Sequence, residues 1–116
     1  MAKTLQQQII VRALELISDD SKWTEATDAR DAHGRPCGVE ASEAVRFCAV
    51  GALARAVFEL TEGSFALADQ IETAVLAANG LSGLELESLP WINDREGRER
   101  IVAMFRKALL DWAGVR

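Results

Sequence analysis

Three residues of this chain are of the types that a thiol hydrolase combines. Cys48 offers a nucleophile, His33 a base and Asn93 an orienting amide. The chemistry needs the sulfur as a thiolate, which forms where a helix N-terminus or a cation lowers its pKa. The hydrophobic spacing instead puts Cys48 about two turns inside a helix, on its apolar stripe. A free cysteine there packs as a small hydrophobe. His33 is the single histidine of the chain and falls in the polar turn Asp31-Ala-His-Gly34, where an exposed turn residue is the ordinary reading. A second constellation is Trp91-Ile-Asn-Asp94. Asn93 and Asp94 suit the cap of a following helix, and beside a tryptophan they also suit the wall of a small cleft. The candidate pocket therefore comprises Trp23, Asp31, His33, Cys48, Trp91, Asn93 and Asp94.

Other site chemistries find no support. The sequence holds no glycine-rich phosphate loop, no HExxH and no CxxC. One histidine and two well-separated cysteines are poor material for a zinc site, so neither a metal nor a cofactor is expected. Trp23, Trp91 and Trp112 could stack a ligand, but aromatics at element ends serve more often as core anchors.

The elements that would position these residues are helical. Thr4 and Gln7 have capping-box spacing ahead of a first helix from Leu5 to about Ser18, with Leu5, Ile9, Ala13, Leu16 and Ile17 as its stripe. Residues 19–41 read as irregular, with Trp23 as anchor and a short β-hairpin around 24–39 that turns at Gly34; Pro36 limits it to an edge. A second helix spans 42–60. Val45, Cys48, Ala49, Ala52, Leu53, Ala56 and Leu60 keep its period, and its nearly all-round apolar surface marks it as central and buried. Gly51 costs such a helix roughly 1 kcal/mol relative to alanine, which close backbone packing would offset. A third helix is expected over 65–79, stopped by Asn79-Gly80, and an ambiguous turn follows, closed by Pro90. A fourth runs from Asp94 to Ala113, boxed by Asn93 and Glu96, with Ile101, Phe105, Ala108, Leu109 and Trp112 inward. The fold class is mainly α: one domain over 1–116, a compact bundle of about four helices.

Composition bounds the function. Of the 116 residues, 49% are hydrophobic and 27% charged, enough core for one globular domain. The start of the chain lacks a secretory pattern, and no apolar run reaches membrane-spanning length. Cys37 and Cys48 alone make no disulfide framework. A cytoplasmic protein that avoids membranes is expected. The net charge is −5. Residues 95–116 carry Arg95, Arg98, Arg100, Arg106, Lys107 and Arg116 against Glu96, Glu99 and Asp111, a net of +3, so the other 94 carry −8. An acidic whole disfavours nucleic acid, although this helix has a basic face.

Trp23, Ala29-Arg-Asp-Ala-His-Gly34, Ala44-Val-Arg-Phe-Cys-Ala-Val-Gly-Ala-Leu53 and Trp91-Ile-Asn-Asp94 follow one another in that order. The pattern resembles a family of small bacterial and phage proteins classed as a domain of unknown function, over roughly Ile9 to Ala108. The resemblance implies a compact helical domain and no activity. It singles out Trp23, Asp31, Gly34, Cys48, Gly51, Trp91, Asn93 and Asp94. The leading expectation is a non-enzymatic interaction or regulatory module, with a homodimer or a protein partner. The competing readings are a small-molecule binder or thiol hydrolase beside Cys48, and nucleic-acid binding through helix 95–113.

Overall fold

The computed structural model describes residues 5–61 and 88–115. The expected helix 65–79 and its Asn79-Gly80 stop lie outside them. Four helices appear among the described residues: α1 (Leu5–Leu16), α2 (Ala49–Leu60), α3 (Ser88–Glu96) and α4 (Arg98–Val115). A short 3-10 turn covers Asp20–Lys22, and two strands, β1 (Ala29–Arg30) and β2 (Arg46–Phe47), pair antiparallel. The mostly helical class expected from periodicity is what the chain adopts. No described helix is long and apolar enough to cross a membrane.

The core grows from the stripes. Ile9, Ile10, Ala13 and Ile17 of the first segment are fully buried against Ala49, Ala52, Leu53, Ala56 and Val57 of α2. Ile101, Met104, Phe105 and Ala108 of α4 complete the cluster, with Leu89 and Ile92 from α3. Arg98 closes the end of α1: its Nη1 donates to the carbonyls of Ile17 and Ser18, and its Nε to Asp20. It thereby satisfies carbonyls that a helix C-terminus leaves without partners.

Three boundaries differ from expectation, each for a local reason. The second helix starts at Ala49, not residue 42. The stretch Val45-Arg-Phe47 carries β-branched and aromatic residues and enters a strand, with Val45 exposed. The hairpin also pairs differently. A turn does form, Asp31 N donating to Arg35 O, and an isolated bridge joins Arg30 to Pro36. The strand partner of β1 is nevertheless β2, with Ala29 opposite Phe47 and Arg30 opposite Arg46. Finally, Trp91–Asp94 is helical. Pro90 stands in the first turn of α3, where a missing N–H costs nothing. Gly97, at φ +89°, separates α3 from α4. Its left-handed backbone suits glycine, so α4 begins at Arg98 rather than Asp94.

Gly51 makes the close approach its position foretold. A Cβ there would run into the backbone carbonyl of Asp28. Gly51→Ala should therefore destabilise the protein by about 2 kcal/mol or more through overpacking, reversing the gain of about 1 kcal/mol that alanine brings to an ordinary helix. Urea denaturation checks the sign.

Candidate functional site

The N-terminus of α2 is where the sequence-selected residues meet. Cys48 has extended backbone (φ −85°, ψ −178°) and is the N-cap of α2: its Sγ accepts from Gly51 N at 3.3 Å. Its own N–H donates to Asp28 O, and its thiol lies 3.8 Å from Asp28 Oδ1. Cys48 is thus at a helix end, not two turns inside. That position alone favours a thiolate, but the surroundings oppose it. The residue is 4% exposed, and burial, reinforced by the charges of Asp28 and Asp94, pushes its thiol up to about 11 against the helix-end N–H groups. Desolvation wins because a sulfur anion here would lose its water and face two carboxylates.

Asn93 is fully buried on α3 and does not cap its own helix. Its Oδ1 accepts from Trp23 Nε1 and from Ala49 N, both at 2.9 Å. Its Nδ2 donates to Thr24 O and to Asp94 Oδ1, both at 3.1 Å. Two donors converge on the oxygen and two acceptors on the nitrogen, so the amide fits in one orientation only. Asn93 therefore serves as a second cap for α2 while anchoring the Trp23–Thr24 loop.

Asp94 extends this hold by accepting from Ala26 N at 3.0 Å. Ala26 sits at φ 69°, a left-handed conformation costing an alanine roughly 1–2 kcal/mol. Cys48 and Asp94 share a cavity of about 120 Å³ with Ala26, Thr27 and Asp28. Asp28 went unremarked in the sequence because nothing in its spacing distinguishes it among eighteen acidic residues.

The other candidates lie apart from this cavity. Asp31 uses its carboxylate within its own turn, accepting from His33 N and Arg35 N at 2.9 and 3.0 Å, and the Arg35 N–H chiefly holds its pKa low. His33 is exposed in that turn. Trp91 is 58% exposed, with the Arg95 guanidinium 5.2 Å from its ring centre. Trp23 is half-buried and faces Asn93. Among the described residues no group of three or more His, Cys, Asp or Glu side chains could hold a metal ion.

A small, mostly helical protein whose polar cluster ties a loop to a helix end is the class that this geometry defines. The chain belongs to the Family of unknown function (DUF6197), which matches residues 1–109. No curated protein and no solved structure matches it.

Two measurements probe the cluster. Asn93→Ala leaves an indole N–H, an amide N–H and a carbonyl without partners, so the loss should exceed about 3 kcal/mol in denaturant unfolding. The thiols should also separate. The folded value of Cys48 lies above its ordinary 9.0, so the unfolded chain ionises first. The associated stability is complete below pH 9.0 and declines as pH climbs toward 11. At neutral pH a chromogenic disulfide reagent should modify half-buried Cys37 in the folded protein and Cys48 only in denaturant. Equal rates in the folded state would contradict this assignment.

Proposed function

We propose that the protein is a non-enzymatic interaction module presenting the Trp91 face of α3 to a protein partner. The observation carrying this reading is the exposed Trp91 beside Arg95. Ile92 and Asn93, next in sequence, are buried, so α3 is anchored firmly while its tryptophan points outward. Tryptophan and arginine are the types that dominate interface energetics, and the stacked guanidinium pre-orders the ring. The features that suggested catalysis support a structural role instead. Cys48 caps a helix as a neutral thiol, and Asn93 uses both sides of its amide on backbone and indole groups. The basic helix favours nucleic acid weakly, because Arg98 is tied to Asp20 and Arg100 to Glu96.

The test replaces Trp91 with a photo-crosslinking phenylalanine analogue in the cells that make the protein. A discrete protein adduct from position 91, absent when the analogue stands at exposed Ala103 of α4, is expected; light scattering of the purified chain distinguishes a second copy from a different partner. No adduct from position 91, or the same adducts from both positions, overturns the reading.

A further inference from the structure

Arg30 and Arg46 stand directly opposite each other in the two-strand ladder. Opposed residues project to the same face with Cβ atoms about 4.5–5.5 Å apart, and like charges so placed repel. Ala29 and Phe47, the other pair, are buried in the core, so the two arginines share the outward face.

Among the described residues, neither arginine meets a carboxylate. None of the ion pairs among the described residues includes either one, although the chain has eighteen acidic residues. Arg30 is held by neutral oxygens. Its Nε donates to Thr24 Oγ1 at 2.8 Å, its Nη1 to Gly34 O at 2.8 Å and its Nη2 to Glu25 O at 3.4 Å. Those bonds use three of the five guanidinium donors and leave one N–H on each terminal nitrogen. Arg46 is half-buried and makes no side-chain hydrogen bond or ion pair among the described residues. The acidic neighbour most available in sequence, Asp31, is turned to its own backbone N–H groups and Arg35. The result is one cation fixed in place and, on the same face of the ladder, a second with no partner among the described residues.

We infer that the Arg30–Arg46 pair is the receptor for an acidic side chain of the partner protein. This rests on the interaction reading above and supplies the partner's chemistry. A carboxylate bridging the two guanidiniums cancels their repulsion and accepts charge-assisted bonds in the geometry arginine favours. Two cations suffice for one carboxylate, whereas a long polyphosphate would meet the field of a chain with net charge −5.

The probe is a peptide of glycine and serine with a single central glutamate, blocked at both ends and titrated calorimetrically into the full chain at low salt. Saturable one-to-one binding is expected, weakened at least tenfold by Arg46→Gln and only partly restored by Arg46→Lys, which lacks the planar fork. Arg106→Gln, at an exposed arginine of α4, should leave affinity unchanged. Arg46→Gln should melt at or above the wild-type temperature, because it removes a repulsion and no bond. The inference is overturned by absent saturation, by equal sensitivity to Arg46→Gln and Arg106→Gln, or by an Arg46→Gln chain that melts lower. Binding of inorganic phosphate or duplex DNA through Arg46 with none of the peptide overturns it too. Crosslinking reads position 91 and calorimetry reads Arg46, so failure of one is distinguishable from failure of the other.

Discussion

Asn93 joins three stretches of chain with a single amide. Its oxygen receives an indole N–H from Trp23 and a main-chain N–H from Ala49; its nitrogen reaches the carbonyl of Thr24. A buried amide of this kind is either completely partnered or very costly, and here it is complete. The start of α2, the path of the 23–28 loop and the placement of α3 are therefore fixed together. The cavity with Cys48, Asp28 and Asp94 is a by-product of the same junction: it lies where the loop carrying left-handed Ala26 passes over the helix end.

This junction explains why residues with catalytic chemistry read as architecture. The helix end supplies a field that would favour a thiolate, but the site withholds the water an anion needs and sets two carboxylates nearby. Cys48 then does what serine or aspartate does at other helix starts, with a weaker acceptor atom. Ion pairs support the periphery. Glu59 is held below its ordinary pKa first by the hydrogen bond from Arg12, with Arg55 assisting, and so fastens α1 to α2 across the outer surface.

Much of the helical framework was legible in the sequence. The stripes of α1 and α4 pointed to Ile9, Ala13, Ile17, Ile101, Phe105 and Ala108, all buried. Gly51 announced a close approach, though not that Asp28 would be the neighbour. The failures share a cause. Val45 and Cys48 extend the apolar spacing of α2 backwards, so the strand segment before the helix looked like part of it. Cysteine is not among the usual capping types, which hid the true first turn. Asn93 has cap chemistry, and it does cap a helix, but one 44 residues away. A residue whose partners are that remote leaves no trace in local spacing. The cross-strand opposition of Arg30 and Arg46 was invisible for the same reason, because register across a loop is set by the turn and the buried face rather than by either strand alone.

The remoteness of Asn93's partners also bears on how the chain acquires its shape. Its bonds to Trp23 and Ala49 close loops of 70 and 44 residues, and the clasp of Arg98 on Ser18 spans 80. Closure over such lengths is entropically unfavourable until many contacts form at once. During synthesis, α1, the loop and α2 leave the ribosome well before residue 93, with the helix start uncapped by its amide and the Trp23 indole unmatched. The Asn93 junction and the Arg98 clasp can therefore close only once the carboxyl-terminal part of the chain has been made.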